Sequence, residues 1–495
     1  MKKLIYLAAI ASALLVGGCS DDDSEAVIIV DPEVEASSSK VLFDEKGGTK
    51  TVYVGTNCDE WNFVCDDEWL SVARNGNELT LKADPNTKAD KQDAVIYITA
   101  YLNDVVDATY PNRADTRIDV RQLGTTSVAD LSAGGTSNCY MAHTGTDYKF
   151  SATVKGNGKS DGNSRYIETC GLNIEGIGYA DLVWEATFDG DKTRSCRIID
   201  GAPFYNDGYI YFSTGNVEGN ALIAARTNSG EILWSWHIWV SNEPVTLSEF
   251  NGVSWMDRNL GALNNEPGDM NNRGMFYQWG RKDPFLPSAV EYMEVGANNI
   301  PAANVLNNQV GEGSGRWAYT GVKAKKASHA PGNIPASILI PTTYLLPFST
   351  FSDWYITTPD TEDQPASYLW GGDSTGMKTI FDPCPAGYMV PANGAFATTL
   401  TNSSKYVDLK AQWSAGENHG RYWTDGNGQF FPYTGLLTTT NTPLTYCGAM
   451  GTYWTAACVE LAAGSSRRLY MNDNFVNYNA GARVYGASVR CVKEK

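Results

Sequence analysis

The stretch Ile232-Leu233-Trp234-Ser235-Trp236-His237-Ile238-Trp239-Val240 constrains the fold of this chain more than any other. Successive side chains on a β-strand point to opposite faces. Ile232, Trp234, Trp236, Ile238 and Val240 therefore share one face, and Leu233, Ser235, His237 and Trp239 share the other. The first face demands a hydrophobic core. The second is mixed: His237 beside Trp239 either lines a site or is a satisfied histidine between domains, which is the more ordinary place for such a residue. Just upstream, Ala221–Ala225 and the turn residues Thr227-Asn228-Ser229-Gly230 make a hairpin with this strand.

The same texture recurs along the chain. Val41-Leu42-Phe43, Lys50–Val54, Glu78–Lys82, Ala94–Thr99, Tyr148–Val154, Asp181–Ala186 and Gly208–Ser213 are strand-length runs separated by Gly, Asn and Asp turns. Glycine at 48 residues, proline at 20 and aromatics at 12% fit many short strands joined by turns. A chain of 495 residues is too long for one ordinary core and suggests about three domains. The expected boundaries are a β-sandwich over 39–125, a second β-sandwich over 126–243 and a carboxy-terminal domain over 244–495.

Met1-Lys2-Lys3, the apolar run Leu4–Val16 and the small residues Gly17-Gly18 before Cys19 have the form of a signal peptide covering residues 1–18. The run is shorter than the ~20 apolar residues of a spanning helix. Val16-Gly17-Gly18-Cys19 resembles the bacterial lipobox, which implies cleavage before Cys19 and lipidation of that residue. Ser20-Asp21-Asp22-Asp23 is similar to the acidic surface-export signal of Bacteroidetes lipoproteins. The expectation is an outer-membrane protein facing the cell exterior, attached only through its N-terminal lipid, with residues 19–38 as an acidic tether.

Lysine and arginine number 38 against 56 acidic residues, a formal charge of -18. That balance excludes a nucleic-acid partner, which needs a basic face to displace counterions. It suits neutral glycans and cations. Of ten cysteines, lipidation of Cys19 leaves nine, so at least one has no partner within the chain. No Cys-x-x-Cys occurs, and His143, His237, His329 and His419 are far apart, so the spacing does not suggest a metal centre.

Gly47-Gly48-Thr49, Trp61, Glu68-Trp69-Leu70-Ser71-Val72 and Val120-Arg121-Gln122-Leu123-Gly124 together resemble a BACON domain. That family is immunoglobulin-like and was proposed to bind carbohydrate or mucin. Tyr101–Thr116 departs from the pattern as an apparent insertion, and Trp61 and Trp69 are expected in the core rather than on a sugar. The Trp-Ser-Trp-His strand resembles those of Bacteroidetes fimbrillin-like proteins. Asn251–Gly261, Gly274–Arg281, Asp382–Pro391 and Ser488–Val492 resemble, in order, the Fibrobacter succinogenes major paralogous domain, which is similar in pattern to C-type lectin-like folds and to the formylglycine-generating enzyme superfamily. The fold class expected is therefore multidomain: two immunoglobulin-like β-sandwiches followed by an α+β C-type lectin-like domain. The resemblance implies a disulfide between Cys384 and Cys491, and strands over Gly451–Cys458 and Arg467–Asn472.

Between those blocks, Pro284–Lys378 is long, irregular and aromatic. C-type lectin-like domains present ligand contacts on a long loop, so Trp317, Trp354, Tyr355, Tyr368 and Trp370 are the ligand-binding candidates; the alternative is that these rings pack the loop onto its own domain. Gly372-Asp373-Ser374-Thr375-Gly376 matches the Gly-x-Ser-x-Gly pattern but lacks the strand before it that a nucleophile elbow needs, and suits an O-glycosylated loop better. Cys447 and Cys458 are the close pair that a copper oxidase of this superfamily would call for, and their position favours ordinary cysteines. For calcium, Glu266-Pro267-Gly268 lacks a third ligand and Asn472-Asp473 keeps half of a lectin motif, so no cofactor is expected and Asn472 and Asp473 are only weak calcium candidates. The function expected is that of a non-enzymatic adhesin binding glycan, mucin or a surface protein. The alternative is a fimbrial or tip subunit that joins pilin subunits by strand exchange.

Overall fold

Alternation of apolar and polar residues over Val34–Gln122 produces two four-stranded sheets. The computed structural model describes residues 31–103, 112–159, 171–187, 198–286, 299–300, 323–326, 333–346, 353–354, 369–371, 377–396, 406–423, 428–438, 444–460 and 464–494. They belong to two units, divided between Ser127 and Val128. In the first unit the strands are β1 (Val34–Ala36), β2 (Lys40–Phe43), β3 (Gly48–Thr56), β4 (Glu60–Val64), β5 (Leu70–Asn75), β6 (Glu78–Ala83), β7 (Gln92–Tyr101) and β8 (Arg113–Gln122). One sheet has the order β1-β3-β6-β5 and the other β2-β8-β7-β4. On β6, Leu79, Leu81 and Ala83 are buried while Thr80 and Lys82 are not, and on β7 Ala94, Ile96, Ile98 and Ala100 are buried in the same alternation. These side chains meet Val41, Phe43, Val52, Val54, Ile118 and Val120 in one core.

Trp61 belongs to that core, with the Arg74 guanidinium 3.7 Å from its ring centroid, and Trp69 packs half-buried against it. The expected insertion at 101–116 is in part the last strand itself: β8 begins at Arg113, which pairs with Tyr101 of β7. Period-2 alternation of Arg113, Asp115, Arg117 and Asp119 puts charges on the solvent side and hides the strand from a hydrophobic reading.

The second unit starts with β9 (Ala129–Asp130), β10 (Cys139–Ala142), β11 (Asp147–Ser151), β12 (Tyr179–Ala186), β13 (Phe204–Asn206), β14 (Tyr209–Ser213), β15 (Gly219–Arg226) and β16 (Ile232–Val240). They form sheets of order β10-β16-β15-β12 and β13-β14-β11-β9. Phe150 of β11 and Trp236 of β16 lie 5.1 Å apart between the sheets. The hairpin is present, with Ala225 opposite Trp234 and Gly219 opposite Val240.

Strand β16 does not end this module. Ser235, His237 and Trp239 on its second face are buried too, against the carboxy-terminal half. Ser235 Oγ donates to Asp283 Oδ1 (2.6 Å), Tyr277 Oη and His237 Nδ1 are 3.2 Å apart, and Trp239 Nε1 donates to the carbonyl of Ala262 (3.0 Å). One hydrophobic cluster runs from Cys139 to Cys491. The boundary expected at 243/244 is therefore corrected: residues on both sides of it share one core within a single unit.

The carboxy-terminal half is built of strands. Among the described residues its helix is limited to Asn333–Leu339 and two short 3-10 turns, so the α+β label is replaced by nearly all β. Leu247–Phe250 and Val253–Met256 form a hairpin whose turn residues Asn251 and Gly252 have φ of 54° and 70°, the left-handed pair such a two-residue turn requires. Gly451–Glu460, Ser465–Met471 and Val476–Ala482 run antiparallel in the largest sheet, extending the two strands read from sequence.

The sequence blocks that carry the family resemblance are the buried scaffold of this half. Arg490 Nε donates to Asn259 Oδ1 (3.0 Å) and Nη1 to the carbonyl of Phe430 (2.9 Å), while its guanidinium lies 3.8 Å from the Phe431 centroid. Trp279 Nε1 donates to Thr455 O (2.8 Å), and Arg281 Nη1 to Thr343 O (2.7 Å). Asp382 accepts the amides of Cys384 (2.8 Å) and Val390 (2.9 Å). Cys384 and Cys491 are disulfide-bonded across a sequence separation of 107 residues. Closing so long a loop restricts the unfolded chain by up to about 4–5 kcal/mol. Replacing both cysteines with serine is expected to lower the unfolding free energy by about 2–5 kcal/mol in denaturant titration; a loss below about 1 kcal/mol would show that the bond carries little of the stability.

Candidate functional site

The expected aromatic surface is not formed by the two tryptophans whose positions are described. Trp354 and Trp370 are 2% and 0% exposed. Trp354 Nε1 donates to the carbonyl of Trp279 (2.8 Å), Trp370 Nε1 donates to that of Phe381 (3.1 Å), and the Trp279 and Trp370 rings lie 5.6 Å apart. Their binding assignment is corrected: the aromatic area that would stack on a sugar is spent on the core, with each indole N–H satisfied inside. Cys19, Trp317, Tyr355, Tyr368 and the Gly372–Gly376 motif lie outside the described residues.

The calcium candidates Asn472 and Asp473 sit in a turn. Asn472 Oδ1 accepts the amides of Asn474 (2.9 Å) and Phe475 (3.1 Å), closing a turn. The Arg421 guanidinium donates to the backbone carbonyls of Asn472 (2.9 Å) and Asp473 (2.7 Å). Among the described residues no three His, Cys, Asp or Glu side chains gather as metal ligands. Cys447 is buried, and the side chain of Cys458 lies outside the described residues.

His237 is held between Asn220 Oδ1 at Nε2 (2.8 Å) and Tyr277 Oη at Nδ1 (3.2 Å), and Asn220 Nδ2 donates to Gly261 O (2.9 Å). Burial pushes its pKa down to about 3, so it is neutral. Beside it, Lys282 Nζ lies 2.5 Å from Asp283 Oδ1 and donates to Ser235 Oγ (2.6 Å); burial lowers its pKa to about 8 against the pull of Asp283. All of these groups are closed to solvent, so they tie the two halves of the unit together and do not face a substrate.

The open feature is a polar cleft of about 820 Å³ lined by Thr187, Asn216, Val217, Glu218, Asn242, Glu243, Leu263, Asn264 and Asn271. Thr187 follows β12, Asn216–Glu218 lead into β15, Asn242–Glu243 follow β16, and Leu263–Asn271 belong to the segment that follows the Val253–Met256 strand. That loop is braced internally. Asn264 Nδ2 donates to Asp269 Oδ2 (2.9 Å), Asp269 Oδ1 accepts Asn271 N (2.9 Å) and Nδ2 (3.0 Å), and Asn272 Nδ2 donates to Glu266 O (2.6 Å).

Arg258 joins the two walls from below. Its Nη1 donates to Leu263 O (2.7 Å) and lies 3.3 Å from Glu243 Oε2, and its Nη2 donates to Pro244 O (3.1 Å). Burial works to raise the pKa of the neighbouring Asp257, but hydrogen bonds and charge from Arg258, with help from Thr246, bring it below the ordinary carboxylate range. Opposite, Glu218 Oε1 accepts the amide of Asn242 (2.5 Å), whose Oδ1 accepts Thr144 N (3.1 Å). The result is a rim of four side-chain amides and two carboxylates, which can both donate to and accept from hydroxyl groups. None of the lining residues carries a spacing that marks it in the sequence; the available signal was the asparagine density of 264–272.

No protein-family model and no curated relative matches the chain. Among solved structures, an NMR structure of a protein from Bacteroides thetaiotaomicron is 14% identical and covers 22% of this chain and 98% of its own, at a TM-score of 0.15. The E. coli chaperone DraB is 9% identical over 41% of this chain and 96% of its own, at 0.20, and the periplasmic chaperone SfaE 11% identical over 42% and 100%, at 0.21. At these TM-scores the three likenesses carry no assignment of fold or function.

The buried histidine sets a pH dependence. Unfolded histidine binds a proton near pH 6.5, while folded His237 stays neutral to about pH 3. Its contribution is therefore full above about pH 6.5 and is lost as pH falls through that window. The stability difference between the native chain and a His237→Gln variant should shrink by about 1.4 kcal/mol per pH unit below pH 6, read from urea titrations at pH 7.5, 6 and 5. A difference constant over that range would mean that the imidazole gains its proton inside the fold.

Proposed function

We propose that this chain is a lipid-anchored cell-surface protein of the outer membrane that acts without catalysis, as an adhesin, and takes a neutral glycan or mucin chain into the cleft between β12, β15, β16 and the 263–271 loop. The export signal and Cys19 support the location, and the four resemblance blocks support a lectin-like reading of the carboxy-terminal half. The observation that carries the ligand class is the cleft rim: Asn216, Asn242, Asn264 and Asn271 with Glu218 and Glu243, set about Val217 and Leu263. Amide and carboxylate groups match the mixed donor and acceptor character of sugar hydroxyls, and the two apolar residues match a sugar's C–H face.

Purified protein screened against host and dietary glycans is expected to bind at least one neutral glycan or mucin fraction. The double variant Asn216→Ala/Glu218→Gln should bind it about tenfold more weakly, from two lost hydrogen bonds of about 0.5–1.5 kcal/mol each, without a change in melting temperature. Failure to bind any glycan or mucin, or binding that this variant leaves intact, would remove the carbohydrate reading.

One observation favours the fimbrial alternative. Strand β2 is a four-residue edge strand, paired in parallel with β8 from Lys40 opposite Asp119 to Phe43 opposite Gln122, and it buries Val41, Leu42 and Phe43. A short edge strand with buried side chains is the kind of element another subunit replaces in strand exchange. That reading predicts heat- and detergent-resistant ladders that disappear with Leu42→Asp; a chain that stays monomeric in the presence of pilins would count against it.

A further inference from the structure

Val64 and Tyr97 stand directly opposite each other on β4 and β7, and they are 54% and 56% exposed. Their apolar area gains the sandwich little by staying in water. With Asp66, Asp67, Asp93, Ala94 and Val95 they wall a pocket of about 300 Å³. Three pairs of charges on this face are matched. Arg121 donates to Asp93 from Nε (2.6 Å) and Nη2 (2.9 Å), Arg113 lies 2.7 Å from Asp115, and Arg117 lies 3.4 Å from Asp119. Asp66 and Asp67 differ, since neither carboxylate meets a basic group among the described residues. They sit at the end of β4, which is the outermost strand of its sheet.

We propose that this pocket seats a lysine or arginine side chain of a second, basic polypeptide, with the aliphatic stem on Val64 and the Tyr97 ring and the cationic head between Asp66 and Asp67. The division of the pocket into an apolar wall and a charged end matches the division of those side chains. A neutral sugar would leave both carboxylates uncompensated, and a bare metal ion would leave Val64 and Tyr97 unused. The chain itself shows the chemistry nearby: Arg74 lays its guanidinium 3.7 Å from the Trp61 centroid and donates to the Trp61 carbonyl. A formal charge of -18 adds long-range attraction for a basic partner.

The test uses the purified full chain at low ionic strength with three probes: a tetra-arginine peptide, its neutral tetracitrulline analogue, and calcium chloride alone. Tetra-arginine should bind and tetracitrulline should not. Asp66→Asn/Asp67→Asn should weaken tetra-arginine about tenfold and Tyr97→Ala about threefold, whereas Asp84→Asn/Asp90→Asn, which removes the same charge elsewhere on the unit, should leave it unchanged. Equal weakening by the Asp84/Asp90 variant would overturn the pocket in favour of diffuse attraction. Calcium binding that depends on Asp66 and Asp67, combined with no effect of Tyr97→Ala on the peptide, would overturn it in favour of a simple cation site.

Discussion

Burial of β16 on both faces is the constraint on which the larger unit depends. Its inner face fills a sandwich with Trp234 and Trp236, as a period-2 strand should. The outer face carries Ser235, His237 and Trp239, whose polar atoms would each cost about 1–3 kcal/mol if buried without partners. The carboxy-terminal half supplies those partners through Asp283, Tyr277 and the carbonyl of Ala262, while Asn220 on the neighbouring strand holds the other side of His237. In return, Asn138 before β10 donates to the carbonyls of Ile380 (2.7 Å) and Asp382 (2.9 Å). The contact is thus reciprocal and hydrogen-bonded from both sides, with the properties of an interior and not of a surface where two domains touch.

Much of the strand layout was legible because alternation is a local property. The hairpin of β15 and β16, the runs of β6 and β7, and the strands at Gly451–Glu460 and Ser465–Met471 all announce themselves by apolar residues two apart. The start of β8 was not legible, because its Arg and Asp side chains alternate in sign and look like a loop. Nor was the fate of Trp354 and Trp370, since an aromatic ring in an irregular stretch reads the same whether it packs inward or outward. What separates the cases is whether a carbonyl such as that of Trp279 or Phe381 lies within reach of the indole N–H, and that is set by residues far away in the chain.

The cleft was invisible for a similar reason. Its lining comes from separate short segments at 187, 216–218, 242–243 and 263–271, none of which has a spacing that marks it. Arg258 makes them one site. It reads in sequence as part of a resemblance block, and in the structure it reaches Leu263 O on one wall and Pro244 O on the other. The motif blocks therefore describe how this half is held together, and the cleft is lined by residues that the motifs do not include.

The shared interior also has a consequence for inheritance. A segment can be moved between genes, duplicated or lost only where cutting the chain leaves both products with covered cores. A cut after residue 243 would strip the cover from Ser235, His237 and Trp239, and would leave Asn138 without the carbonyls of Ile380 and Asp382. A cut between Ser127 and Val128 follows the division between the two units. The part of this protein that evolution can shuffle as one piece therefore begins at Val128, and the sandwich that contains β16 travels with the carboxy-terminal sheets.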